Sequence, residues 1–407
     1  MDCEIQSLEQ ASTWETVPCP ADKNVVGCKW VYWTKCKADR SIDKHKACLV
    51  ARGFTQVYGV DYLDTYSPIA KLTSFRTILA LAACFDWEVE CFNFNAAYLN
   101  GEQEDSEEIY MEQPPGYEKG GKEFVKRLCK ALYGLKQAGH RWYNTFKREL
   151  ADLGFHASTT DPGVFYAQIK CKILILAMHV NDCAMTGSSG KLITMYKAKL
   201  NDKFPLMDLG PIHWLLGIEV KCDRSACTLS LCQSSFIDTI LACFQLTAAK
   251  AYPTPIVLSV TYSKSDSPSS PADAVCMLKV PYCEAIGSLM YAVVTTHPDI
   301  AFAVSTLLQF LENLGEVHWQ VVKHMFHYLT GTCDLMLTYG AEHNELHSYT
   351  DADGASQEHR HAISSYVFLI DGGAISWSLC KQELVMLSIA EAEYVAAMHA
   401  MKECIWL

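Results

Sequence analysis

The sequence predicts an α+β architecture, and three observations carry that prediction. Apolar runs of strand period and of helix period follow one another without the regular βαβ alternation of a parallel sheet. Aromatic and β-branched residues alternate with Lys and Arg near the start, in NVVGCKWVYWTKCKADRSIDKHKACLVARGF, which reads as antiparallel sheet. A Pro-, Ser- and Asp-rich stretch at 252–274 then separates this mixed portion from a helical one. Half of the 407 residues are hydrophobic and 20% are charged, enough for folded cores in two to four domains.

Taken in order, residues 14–62 read as a β-meander with a turn at ADRS and one basic face. SFRTILALAACFDW has helical apolar spacing and gives way to the strand VECFNF. KRLCKALYGLKQAGHRWYNTFKRELADLGF reads as helix interrupted by Gly134, and VFYAQIKCKILILAMHV as two strands around a loop. Residues 191–203 are helical again, FPLMDLGPIHWLLGIEV is turn plus strand, and SSFIDTILACFQL is an amphipathic helix. Beyond the linker a mostly helical block runs to about Tyr339. ELHSYTDADGA opens a strand-rich segment, and IAEAEYVAAMHAMKECIWL is a helix without a C-terminal cap.

The formal charge is −12, so the chain is not basic throughout, but residues 21–56 hold eight Lys/Arg against three Asp/Glu and 119–148 hold nine against one. Such faces can track a phosphate backbone; they are also what solvated helix and hairpin surfaces look like. The 19 cysteines form no CxxC pair, the nearest grouping being Cys222, Cys227 and Cys232. Without a basic-then-apolar leader or a bilayer-length apolar run, the expectation is an intracellular chain, in cytoplasm or nucleus, with free thiols and no membrane contact. His324 and His327 have helical metal-ligand spacing but no evident third ligand. GxSxG, Walker and dinucleotide-binding glycine patterns are absent.

One short stretch, AMHVNDCAMTG at 177–187, asks for a chemical reason. An ionisable carboxylate, Asp182, sits at the tip of an apolar hairpin beside an amide, Asn181. A half-buried charge is costly unless it is paired or holds a metal, whereas Asn-Asp is also ordinary turn chemistry.

The phrases HKACLVARGFTQVYGVDYLDTYSPIAKL, FNFNAAYLNG, IYMEQPPGY, KALYGLKQAGHRWY, HVNDCAMTG, MDLGPIHWLLGIEV, GSLMYAVVTTHPDIAFAV, YTDAD and AEAEYVA occur in that order. Together they resemble the reverse transcriptase and ribonuclease H part of copia-type retrotransposon polyproteins. The resemblance implies a right-hand polymerase over 1–250 (fingers 14–85, palm 86–220, thumb 221–250), a linker at 251–275, a helical connection at 276–340 and a truncated ribonuclease H-like segment at 341–407. It further implies template-primed DNA synthesis on RNA or DNA from deoxynucleoside triphosphates, with two Mg²⁺ held by three Asp carboxylates.

Two of those three positions depart from the pattern. Asn93 stands where the strand Asp belongs and Asn181 where the first hairpin Asp belongs, leaving Asp182. Asn brings one neutral oxygen in place of an anion, and Mg²⁺ favours hard anionic oxygens, so the resemblance implies a polymerase with its chemistry lost or nearly so. Cys48 replaces the fingers Arg expected near the triphosphate. Lys46 and Arg52 remain as phosphate contacts, and Gly134, Lys136 and Gln137 match the segment lining the nucleotide pocket, with Gly139 in place of a Pro. Asp299 matches a helix-capping position and carries no chemistry.

In the ribonuclease H-like segment the resemblance assigns metal-holding carboxylates to Asp351 and to Glu391, which is favoured over Glu393. The remaining carboxylates of that fold fall after this helix. The roughly 67 residues from 341 are therefore expected to be open, unstable or docked on the polymerase portion. Asp→Asn twice, Arg→Cys at Cys48 and Arg→His at His140, His297, His327 and His361 each correspond to one G:C to A:T transition, as in a decaying element copy. The alternative is a domesticated, non-catalytic nucleic-acid-binding scaffold.

Overall fold

The computed structural model describes every residue except 37–41, 103–106, 122, 258–259, 261, 341–344 and 354–360. The turn expected at ADRS lies outside the described residues. The chain divides into two compact units, Met1–Lys71 with Glu90–Gly210 and Leu72–Val89 with Pro211–Leu407.

The first unit opens with α1 (Asp2–Gln10), β1 (Trp14–Pro18), β2 (Val25–Val26), β3 (Cys28–Cys36) and β4 (Ile42–Ala51). Helix α2 (Leu72–Cys84) belongs to the second unit, and β5 (Glu88–Phe94) leads back into the first. Then come β6 (Ile109–Met111), β7 (Phe124–Leu128), α3 (Ala138–Asp152), β8 (His156–Ala157), β9 (Val164–Ile169), β10 (Lys172–His179), β11 (Asp182–Gly187), α4 (Gly190–Lys203) and β12 (Leu206–Pro211).

Three sheets result: β1-β7-β6-β2, the hairpin β3-β4, and the six-stranded β12-β5-β11-β10-β9-β8. One face of the six-stranded sheet is closed by α3, whose Trp142, Phe146 and Leu150 recur every four residues and are all buried. Phe94 from β5 meets Trp142, Phe146 and Phe204 at ring-centroid distances of 5.3, 5.2 and 6.0 Å, all in edge-on arrangements. Burying such rings is worth roughly 2–3 kcal/mol each, which seats β5 against the hairpin β10–β11.

Two sequence expectations need correction here. Residues 14–62 are not a meander: β1 pairs antiparallel with β7, Trp14 opposite Leu128, while only β3 and β4 pair locally. Alternation specifies a strand but not its partner, and the partner lies more than a hundred residues away. The long helix expected around Gly134 is likewise shorter, because Lys126, Arg127 and Leu128 are strand and the helix starts only at Ala138. Gly134 itself adopts φ +93°, which only glycine takes at no steric cost.

The second unit contains β13 (Trp214–Leu215), β14 (Ile218–Asp223), β15 (Thr228–Cys232), α5 (Ser234–Cys243), α6 (Pro271–Met277), α7 (Tyr282–Thr295), α8 (Ala301–Leu308), α9 (Glu316–Thr332), β16 (Leu337–Tyr339), β17 (Leu346–Ala352), β18 (Ile363–Ile370), β19 (Gly373–Lys381) and α10 (Ile389–Trp406). Ile237, Tyr282, Leu289, Val322 and Phe326 sit in one helical core. The expected linker is partly ordered as α6, capped by the Ser270 hydroxyl, which accepts the Asp273 N–H at 3.1 Å. β16 joins β15 rather than ending a helical block. Among the described residues, no single helix is long and apolar enough to cross a membrane.

Helix α2, assigned to the fingers by the sequence resemblance, packs in this second unit against β19, and one residue explains how. The β18–β19 ladder pairs Leu369 with Ala374 and Phe368 with Ser376, so Ile375 is bulged out and its carbonyl lacks a ladder partner. The buried Arg76 of α2 supplies the donor, Nε to the Ile375 carbonyl at 2.7 Å. Its Nη1 donates to the carbonyls of Val294 and Thr295 at 2.8 and 3.1 Å, at the C-terminus of α7, where orphan carbonyls and the helix dipole favour a cation. Trp377 completes the joint: its ring lies 4.0 Å from the guanidinium carbon and its Nε1 donates to the Val293 carbonyl at 3.0 Å.

Candidate functional site

The three positions expected to hold metal come together in the first unit. β5 and β11 are neighbours, and the Phe94 N–H donates to the Asn181 carbonyl at 2.9 Å. Phe92 and Phe94 face the aromatic core, so alternation puts Asn93 on the opposite face of β5. Cys183 and Met185 face the same core, which turns Asp182 toward Asn93. His179 is directly across the hairpin from Asp182.

The turn between them is two residues long, Val180 and Asn181, and Val180 adopts φ +62°. A β-branched residue in that left-handed region is strained by about 1–3 kcal/mol and persists only where its surroundings hold it. Here the Trp142 indole N–H donates to the Val180 carbonyl at 2.8 Å, tying the hairpin tip to α3.

The polar groups at the tip form a chain. Asn181 Nδ2 donates to Asn93 Oδ1 at 3.2 Å, and Asn93 Nδ2 donates to Asp182 Oδ1. The Asn181 amide therefore donates to the Asn93 oxygen, and the Asn93 amide in turn directs an N–H at an oxygen of the single carboxylate that a cation would need. Burial pushes the thiol of Cys91 up to about 12, further raised by Asp182 and opposed by Lys197, and burial holds the Cys183 thiol well above its usual range. Both sulfurs stay protonated and add no anionic ligand.

This donor set does not fit a pair of Mg²⁺ ions. Two divalent cations about 4 Å apart repel by roughly 17 kcal/mol at an effective dielectric near 20, and one formal negative charge stands where the family pattern has three. Among the described residues there is no group of three or more His, Cys, Asp or Glu arranged for a metal. Asp351 lies exposed on β17, at the edge of the sheet β17-β18-β19. Glu391 caps its own helix: its N–H donates to the Ser388 hydroxyl at 3.2 Å and its Oε2 accepts the Leu387 N–H at 2.8 Å. The His324 and His327 rings are held by the carbonyls of Thr254 and Lys250 at 2.9 and 2.7 Å, and Tyr252 packs against both.

The expected nucleotide contacts fall into two groups. Lys46, on β4 opposite Trp33, is exposed, as are Arg52 and Lys136. Cys48 is buried, and burial raises its thiol pKa, with Glu4 adding and Lys46 opposing. Gly134 and Gly53 interlock: the Gly53 N–H donates to the Gly134 carbonyl at 3.1 Å, and a Cβ on Gly134 would lie 2.2 Å from the Ala51 carbonyl oxygen.

Gln137 stands at the N-terminus of α3. Its side chain is enclosed, at 0% exposure, with Oε1 accepting from Gln56 at 3.1 Å and Nε2 donating to the Asp61 carbonyl at 3.0 Å. These bonds tie the start of α3 to the loop that carries Gln56 and Asp61. Gln56 and Asp61 were not singled out from sequence. Both are buried, Gln56 Oε1 also accepts the Lys136 N–H at 2.8 Å, and Asn24 donates to Asp61 Oδ2 at 2.6 Å. Polar loop residues carry no periodicity, so no sequence signal marked them.

A solved structure of a foamy viral protease-reverse transcriptase in complex with double-stranded DNA matches with a TM-score of 0.50 at 9% identity, covering 99% of this chain and 60% of that one. The mixed α/β fold is thus shared with that structure. Residues 11–258 match the family described as reverse transcriptase (RNA-dependent DNA polymerase). The Pol polyprotein of transposon TNT 1-94 from Nicotiana tabacum is 41% identical over 410 residues, covering 100% of this chain and 31% of that protein. That of transposon RE1 from Arabidopsis thaliana is 34% identical over 414 residues, covering 100% and 27%. The chain belongs to the reverse transcriptase family, in its copia-type retrotransposon branch, and spans about three tenths of the length of these polyproteins.

Proposed function

We propose that this chain is the reverse transcriptase region of a copia-type polyprotein, with fingers, palm and thumb over 1–250, whose polymerase chemistry is lost or nearly so while its affinity for template–primer persists. The observation that carries the reading is the chain Asn181 to Asn93 to Asp182, a hydrogen-bonded amide pair occupying the carboxylate positions of the family pattern. Functional side chains that act as a unit lose most of the rate when one is removed, and here two are changed. Asp351 and Glu391 mark the corresponding positions of a ribonuclease H-like segment.

Retained nucleic-acid affinity is supported by the loop between β4 and α2. Phe54 and Tyr58 are 78% and 70% exposed, and Tyr66 is also exposed. The Gln56–Gln137–Asp61 network holds the backbone beneath them, and Lys136 sits 4.8 Å from the Tyr62 ring. The Lys136 ammonium also donates to the Gln56 carbonyl and the Tyr62 hydroxyl at 3.2 and 3.1 Å, and exposed rings on a loop tied down in this way suit stacking on unpaired bases. The same observation favours the second reading, a non-catalytic nucleic-acid-binding scaffold.

Primer extension on an RNA template with Mg²⁺ and with Mn²⁺ tests this, comparing the unaltered chain with the double variant Asn93→Asp, Asn181→Asp. Extension only by the double variant supports a damaged site on a sound scaffold. Equal extension by both overturns the mechanism, and tight template binding without extension in either moves the conclusion to the scaffold role.

A further inference from the structure

Two adjoining clefts of about 330 and 430 Å³ open between α1, β1 and the segment leading into β7, sharing Glu9, Trp14, Lys119 and Lys126 in their walls. These elements contribute none of Asn93, Asn181 and Asp182. Lys126 is the unusual member, a lysine only 3% exposed. Lys197, the other deeply buried lysine described, shows what such a charge ordinarily requires: it is paired with the carboxylates of both Glu90 and Asp208. Lys126 has instead the Thr16 hydroxyl at 2.7 Å and the Trp14 ring centroid at 5.6 Å, with no ion pair to a described carboxylate.

An ammonium buried without an anion is costly, and a cation is poorly explained as packing where β7 could carry a hydrophobe. Of the acids in the cleft walls, Glu9 holds Lys119 at 3.0 Å, Asp2 accepts the Tyr117 hydroxyl at 2.5 Å, and Glu15 lies exposed on the wall of the second cleft. Burial lowers the Lys126 pKa and the Lys119 charge lowers it further, while Glu9 raises it. An incoming anion would reverse that penalty. The cleft also offers flat apolar surface from the half-buried rings of Trp14 and Tyr117, and its volume suits a ligand of mononucleotide size.

We propose that this cleft is a nucleotide site separate from the polymerase hairpin, with the phosphate on the Lys126 ammonium, Lys119 at the rim and the base against Trp14. The ligand is either a free nucleoside monophosphate or one nucleotide of a single strand.

Calorimetric titration of the full chain with AMP, inorganic phosphate and a ten-nucleotide oligothymidylate tests the assignment. Saturable AMP binding is expected, weakened about tenfold or more by Lys126→Met and severalfold by Trp14→Leu and by Lys119→Met. Lys119 is exposed, so its variant keeps the test open if the Lys126 variant does not fold. Displacement of AMP by the oligonucleotide assigns the site to a strand, and failure to displace assigns it to the free nucleotide. Binding of AMP that is lost in Arg52→Ala, Lys136→Ala but kept in the cleft variants overturns the proposal, as does an absence of saturable AMP binding. Neither result depends on whether the chain extends primers.

Discussion

Replacing Arg76 separates two ideas about a buried guanidinium, that it is tolerated and that it holds the second unit together. Arg76 makes three hydrogen bonds to carbonyls, of Ile375, Val294 and Thr295, and stacks on Trp377. Charged hydrogen bonds of this kind contribute about 1.5–3 kcal/mol each, and a desolvated cation–π contact about 2. Against them stands the cost of desolvating the cation, which lowers the Arg76 pKa to about 10, opposed by Tyr339 and Glu403. Removing the side chain relieves that cost but leaves the bulged Ile375 carbonyl and the α7 terminus without donors. The net loss for Arg76→Ala is therefore about 3–5 kcal/mol. For a unit of this size that corresponds to roughly 10 °C in Tm. Arg76→Met keeps the apolar stem and is expected to lose about 2–3 kcal/mol.

Because the two units need not unfold together, the reading is local: hydrogen exchange at the amides of Gly373–Lys381 and thermal melting of the full chain. Protection of β19 should fall sharply while that of β10 and β11 stays within error. Double-mutant coupling between Arg76→Ala and Trp377→Leu should reach about 1–2 kcal/mol. Unchanged β19 protection with a Tm shift below about 2 °C in Arg76→Ala refutes the reasoning.

Other outcomes follow from the same structure. Gly134→Ala should destabilise the first unit by at least about 2 kcal/mol in urea, through both the 2.2 Å approach to the Ala51 carbonyl and φ +93°. Burial alone would raise the Asp299 carboxyl, but hydrogen bonds from His297 and Tyr328, the latter at 2.7 Å, hold its pKa below the ordinary value. Its contribution is thus present above the ordinary carboxylate range and lost as pH falls through the depressed folded pKa. Tyr328→Phe should accordingly differ from the unaltered chain near neutral pH and converge with it as pH falls through the depressed Asp299 pKa in a stability-against-pH series. In the double variant Asn93→Asp, Asn181→Asp, crowded carboxylates should lower Tm without divalent ions, and Mg²⁺ should restore it; the unaltered chain should respond weakly, as read by melting with and without the ion. Phe54→Ala with Tyr58→Ala should weaken single-strand binding by about tenfold in fluorescence anisotropy while leaving Tm unchanged.

Much of this protein was legible from residues alone. Helix α2 and strand β5, the hairpin β9–β10, and α4 and α5 all follow from local period, because apolar spacing records which face is buried whatever lies against it. The order of nine phrases identified the family, and the amides Asn93 and Asn181 are visible in the sequence where the resemblance implies acids. Tertiary structure decided what depends on partners distant in the chain. It paired Trp14–Pro18 with Phe124–Leu128, enclosed Gln137 against Gln56 and Asp61, and gave a bulged carbonyl at Ile375 to an arginine 299 residues earlier. A period states that a side chain is buried; only the assembled chain states which unpaired donor or acceptor it meets there.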